Sequence, residues 1–168
     1  MIPLPGSPWD KLEGEVHHVG GRCRAPAAST HHAMTTIVDR KDLLGGIDGA
    51  LRAVDAPVVG YVLTRSRMDH TWWDALVDAT ARLDRPTWVV RYAWAWAIVI
   101  FDGSDGMNPE TIGAALVGEM RCRSSGDGAK CFLKRFPSAA TAEHVIRTMD
   151  DAVQAFEEET PVGAARLL

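Results

Sequence analysis

The stretch from residue 88 to residue 101 constrains the fold more than any other part of the chain. Its even positions carry the larger side chains: Trp88, Val90, Tyr92, Trp94, Trp96, Ile98 and Ile100. A period of two, with this β-branched and aromatic content, is typical of a strand with one bulky face. Coiled into a helix, the same residues would leave no polar side. We therefore predict a central strand, bent or bulged near Ala93 because it is unusually long.

The segments around this strand alternate between strand-like and helix-like patterns. Strand patterns cover residues 35–38, 57–64 and 130–136, and helical spacing of apolar residues occurs between them and after Pro137. Asn108, Pro109 and Glu110 mark a helix start. This order predicts an α/β domain of about four strands alternating with four helices in a mostly parallel sheet. The alternative is a small antiparallel α+β sandwich of the ferredoxin-like type, in which the Trp-rich strand bends into two paired segments.

The 168 residues, 46% of them hydrophobic, suit one sizeable core. Residues 1–33 are rich in proline and glycine and lack a sustained period, which indicates an N-terminal arm. We predict a single α/β domain over residues 34–160 and a C-terminal tail over residues 161–168.

Charge and cysteine content limit the partners and the compartment. The net charge of −4 provides no overall basic field, so nucleic-acid binding is the weakest of the functions considered. No uninterrupted apolar run is long enough to span a membrane. Three cysteines without a C-x-x-C pair favour a reducing compartment. We predict a cytoplasmic protein that does not contact a membrane.

Polar side chains follow the second and third predicted strands, where a parallel sheet would bring them to one edge. The candidates for acid-base chemistry, or for a divalent metal, are Asp69, His70, Asp102 and Asp105. Arg65 and Arg67 are the candidates for binding an anion. Their spacing matches no known metal loop, so no cofactor is expected unless these residues form an enzyme site. A simpler interpretation makes residues 102–106 a turn.

The simplest role for the aromatic residues is to fill the core, but their area exceeds what a short layer of helices usually covers. Trp9, Trp88, Tyr92, Trp94 and Trp96 are therefore the candidates for an interface. The leading hypothesis is a non-enzymatic interaction or assembly protein that oligomerises or docks a protein partner through this sheet face and the arm. Such a protein would suit an accessory or structural role in a phage-like or mobile element. The alternative is a small enzyme acting on a phosphorylated or nucleotide-like substrate at the loops after strands two and three.

Overall fold

The computed structural model describes residues 35–64, 71–123 and 128–168. Six strands and four helices lie within these ranges. In chain order they are β1 (Thr35–Val38), a 3₁₀ turn (Arg40–Asp42), α1 (Leu43–Arg52), β2 (Pro57–Thr64), α2 (Thr71–Thr80), β3 (Thr87–Ala93), β4 (Trp96–Asp102), α3 (Pro109–Arg123), β5 (Ala129–Arg135), α4 (Ala142–Phe156) and β6 (Ala165–Leu167).

The strands form one mixed sheet in the order β1-β3-β4-β2-β5-β6. The central pairs, β3 with β4, β4 with β2 and β2 with β5, are antiparallel. The outer strands are parallel to their neighbours, β1 to β3 and β6 to β5. The α/β class with four helices is confirmed, whereas four strands in a mostly parallel sheet is wrong. Because a tight turn joins β3 to β4, these neighbours need no crossover and run in opposite directions.

The turn divides residues 88–101, predicted as one strand, into two paired strands. Trp94 and Ala95 form it, and the pairing register shifts between Arg91 and Ala93. The irregularity expected near Ala93 is thus a complete reversal of the chain. The side chain of Trp94 at the tip is 71% exposed.

Helices cover both faces of the sheet. On one face α2 and α3 pack against Val89, Ala97 and Val99, and on the other α1 and α4 pack against Val90, Ile98 and Ile100. Trp88, Tyr92 and Trp96 are half-buried at the margin of the α1/α4 layer. The aromatic face predicted as a docking surface is therefore largely occupied by the domain's own helices.

The segment predicted as a C-terminal tail contains β6. Beyond the pairing of β6 with β5, further backbone hydrogen bonds attach this segment to β5: from Cys131 N to Ala164 O, from Gly163 N to Ala129 O and from Leu168 N to Leu133 O. The predicted arm, residues 1–33, lies outside the described residues. In the part of the chain that is described, no helix has the length and apolar character needed to cross a membrane.

Candidate functional site at the hairpin end of the sheet

Three elements meet where β3 turns into β4. The backbone N–H of Thr64, the last residue of β2, donates a hydrogen bond to the carbonyl of Ala95 in the turn (2.8 Å). The first turn of α2, which begins at Thr71, contacts the same region through its tryptophans. The end of β2, the β3–β4 hairpin and the start of α2 therefore form one edge of the domain.

Arg91 is held at this edge by aromatic rings. Its guanidinium carbon lies 5.3 Å from the ring centroid of Trp72 and 6.0 Å from that of Trp73. Trp72 is itself buried, and the two indoles meet edge to face at 5.8 Å. Stacking over indoles orients a guanidinium while leaving its N–H donors free. Among the described residues no carboxyl group pairs with Arg91.

The hairpin also presents aromatic surface. Trp94 is exposed at the tip, and the rings of Tyr92 and Trp96 lie 6.4 Å apart below it. Indole faces are favourable platforms for planar heterocycles such as nucleobases. The hairpin thus presents an exposed indole at its tip, with Tyr92 and Trp96 on the α1/α4 side and the Arg91 guanidinium on the α2/α3 side.

Tyr92 links the hairpin to α4 on the far side of the sheet. Its hydroxyl donates a hydrogen bond to Asp150 Oδ2 (2.9 Å), and its ring centroid lies 5.5 Å from that of Tyr61. Burial, together with the hydrogen bond to Asp150, raises the pKa of Tyr92 to about 12. Burial likewise raises the pKa of Tyr61 above its ordinary value. Both phenols are therefore neutral donors near pH 7.

Asp102 and Asp105 lie at the opposite end of the sheet. Because β2 and β4 are antiparallel, Asp102 pairs with Pro57 at the start of β2, and Trp96 pairs with Leu63 near its end. An eight-residue strand spans about 20–25 Å. The expectation that the loops after the second and third predicted strands share one edge is wrong, because it required parallel strands. Arg65, Arg67, Asp69 and His70 themselves lie outside the described residues, as does Trp9.

The two acidic residues organise the loop between β4 and α3. Asp102 accepts hydrogen bonds from the Ser104 hydroxyl (2.7 Å) and from the backbone N–H of Ala56 (3.2 Å). Asp105 forms an ion pair with Arg85 (2.7 Å), whose guanidinium also donates to the Asp102 carbonyl. Arg135 holds the same loop by donating to the carbonyl of Gly103 (3.1 Å). These contacts assign Asp102 and Asp105 to loop structure.

The same contacts predict a pH response. The Ser104 hydroxyl lowers the pKa of Asp102, and the hydrogen bond from Arg85 lowers the pKa of Asp105. A carboxyl group whose pKa is depressed by folding stabilises the fold above its unfolded value, near 4, and this contribution is lost as pH falls through the depressed value.

We therefore expect Ser104→Ala to return the pKa of Asp102 towards the ordinary range and to leave that of Asp105 low. Carbon-detected NMR titration of the side-chain carboxyls measures both. A wild-type Asp102 that titrates at its ordinary value would contradict the assignment.

Asp102 and Asp105 were also candidates for binding a divalent metal. Within the described ranges no group of three His, Cys, Asp or Glu side chains is placed to hold a metal ion. The divalent metal considered for the enzyme alternative therefore stays a prediction, and two of its four candidate ligands, Asp69 and His70, lie outside the described ranges.

Sequence reasoning overlooked Arg91, Trp72 and Trp73 as site residues. The sequence contains one signal that could have indicated Arg91, since it is the only charged residue between positions 88 and 101. An arginine inside an apolar strand needs a partner that orients it. The paired tryptophans that open α2 are that partner.

Comparison with known proteins identifies solved structures that have a similar fold. No protein-family model matches the chain, and no curated protein sequence does. Among solved structures, the chain is similar to the GGDEF domain of DgcB from Caulobacter crescentus, solved in complex with c-di-GMP. The TM-score is 0.59 at 12% identity, covering 86% of this chain and 98% of that one.

Two further structures show the same fold. One is the diguanylate cyclase SiaD from Pseudomonas aeruginosa, solved with its activator SiaC, with a TM-score of 0.59 at 10% identity over 84% of this chain and 62% of that one. The other contains the coiled coil and GGDEF domain of DgcB, again with c-di-GMP, with a TM-score of 0.56 at 11% identity over 82% of this chain and 84% of that one. At these identities the likeness defines the fold as GGDEF-like.

The leading functional hypothesis is corrected by this comparison. The hypothesis of a non-enzymatic assembly component of a phage-like or mobile element is wrong, because the similar structures are the GGDEF domain of DgcB and the diguanylate cyclase SiaD. The aromatic residues that motivated it are largely explained as packing against α1 and α4.

Proposed function

We propose that this domain binds a guanine nucleotide at the hairpin end of its sheet. The observation that carries the proposal is Arg91, stacked over Trp72 and Trp73 and without a carboxyl partner among the described residues, on the same hairpin as the exposed Trp94. Indole stacking suits the base, and an oriented guanidinium suits a phosphate. The similar DgcB domain was solved with c-di-GMP, a ligand that offers both groups.

Binding is proposed ahead of turnover. Nucleotidyl transfer usually relies on metal ions held by carboxylates. Residues 88–101 contain no Asp or Glu, and the run Gly-Gly-Asp-Glu-Phe does not occur in the chain. What the hairpin supplies is a set of groups that hold a nucleotide. An activator protein, as SiaC is to SiaD, is compatible with this role. Self-association and a cytoplasmic location stay predictions.

Titration calorimetry of the full chain with c-di-GMP, GTP and ATP tests the proposal. We expect a guanine nucleotide to bind and ATP to bind more weakly. Trp94→Ala should weaken binding about tenfold or more, since stacking contributes about 1–3 kcal/mol per base, whereas Trp94→Phe should keep most of the affinity. Arg91→Ala should weaken binding by a similar factor.

The matched control is Arg52→Ala, because this arginine is 74% exposed at the end of α1 and away from the hairpin. Saturating guanine nucleotide that releases no heat and causes no shift in thermal midpoint would refute the proposal. Incubation of the chain with GTP and Mg²⁺, followed by chromatography, measures turnover separately.

A further inference from the structure

The backbone pairing of the hairpin is interrupted next to its tip. The ladder pairs Arg91 with Ala97 and Ala93 with Trp96, so Tyr92 between them has no opposite residue in β4. An unpaired residue of this kind bends the strand and loosens the ladder. The direction in which the tip points therefore depends on side-chain contacts as well as on backbone hydrogen bonds.

Tyr92 supplies the main such contact. Its hydroxyl reaches Asp150, which lies 58 positions further along the chain, on α4. The Tyr92 ring is also packed between those of Tyr61 and Trp96. One side chain thus ties the bulged position to the helix layer behind the sheet.

Asp150 depends on this contact in turn. Its second oxygen, Oδ1, is buried and has no hydrogen-bond partner among the described residues, and the same is true of the Tyr61 hydroxyl beside it. A buried acceptor that loses its donor costs more than the bond itself contributes, because it was already removed from water. The Tyr61 hydroxyl could turn to Asp150 in place of Tyr92, but Tyr61 belongs to β2, so the tie between the hairpin and α4 would still be lost.

We propose that Asp150 is a positioning residue for the nucleotide site, holding the β3–β4 hairpin through Tyr92 so that Trp94 and Arg91 face the ligand together. This inference rests on the proposed function. Asp150 touches no ligand in this arrangement and acts through the hairpin alone.

Hydrogen exchange measured by NMR on the full chain tests the anchoring without any ligand. In Asp150→Ala and in Tyr92→Phe, the amides of Ala93 and Trp96, which pair with each other, should exchange about tenfold faster, as expected for one lost hydrogen bond to a carboxyl group. The Gly60 amide, in the central strand, reports global stability and should change less. Asp150→Asn keeps an acceptor oxygen and should restore the slow rates. Asp151→Ala, a change at the exposed neighbouring residue on the same helix, is the control.

The second measurement is the affinity for c-di-GMP. We expect about tenfold weaker binding in Asp150→Ala and near wild-type binding in Asp150→Asn and Asp151→Ala. Equal acceleration at Gly60 and at the hairpin, or equal rates in Asp150→Ala and Asp151→Ala, would overturn the inference. So would faster exchange at the hairpin with unchanged affinity. If the wild type binds no nucleotide, the proposed function fails, and the exchange data alone then decide whether Asp150 anchors the hairpin.

Discussion

Replacing Trp72 with alanine is expected to lower the free energy of unfolding by about 3–5 kcal/mol, the usual cost of removing a large buried aromatic side chain. Trp72 is 2% exposed, lies in the core between the sheet and the α2/α3 layer, and also supports Arg91. Its loss would leave a cavity and remove the ring over which the guanidinium is stacked. Urea denaturation followed by circular dichroism measures the change.

Trp94→Ala is the matched control, because it removes the same side chain from a position that is 71% exposed. Its effect on stability should stay within about 0.5 kcal/mol, as for most surface substitutions. The two variants should therefore differ in the property that they lose: Trp72→Ala reduces stability, and Trp94→Ala reduces nucleotide binding. Equal denaturation midpoints for the two would contradict the packing described for α2.

The second large effect on stability is expected from replacing Gly113 in α3 with alanine. A Cβ atom there would lie 2.5 Å from Leu133 Cδ1 and 2.9 Å from the Cβ of Ala165 in β6. The leucine could adjust, but the Ala165 Cβ moves only with its backbone. Gly113→Ala should therefore destabilise the domain, since overpacking costs about 1–3 kcal/mol and exceeds the gain of about 0.5–1 kcal/mol from better helix propensity.

Gly118, on the same helix, is the control for that experiment. A Cβ at this position meets nothing within 4 Å, so Gly118→Ala should stabilise the domain by about 0.5–1 kcal/mol. Chemical denaturation measures the change in the free energy of unfolding for both variants. A decrease for Gly113→Ala together with an increase for Gly118→Ala would verify the close approach of α3 to β5 and β6. A stabilising Gly113→Ala would mean that this approach is looser than described.

The start of α3 followed from local signals in the sequence. Asn108 caps α3 as predicted, because its side chain accepts a hydrogen bond from the backbone N–H of Glu110 (3.0 Å), and Pro109 occupies the first helical position. Signals of this kind act over three or four residues, so a single sequence contains them in full.

The strand directions did not follow from local signals. The turn at Trp94 and Ala95 has neither the glycine nor the asparagine that usually marks a tight hairpin, so the alternating pattern read as one continuous strand. Strand direction decides which loops share an edge of the sheet. Because the strand directions were predicted wrongly, the candidate site residues were grouped wrongly as well. Asp102 and Asp105 were grouped with residues 65–70, although β4 ends at the opposite end of the sheet from the end of β2.

The position of β2 also bears on how the chain acquires its fold during synthesis. Gly60 pairs with Val99 on one side and with Leu133 on the other. Strand β2 is therefore synthesised before both of the strands to which it hydrogen-bonds. Until β4 and then β5 emerge from the ribosome, both margins of this very apolar segment lack their native hydrogen bonds. We expect slow folding, as is usual when contacts join distant parts of a chain, and a nascent polypeptide that benefits from chaperones.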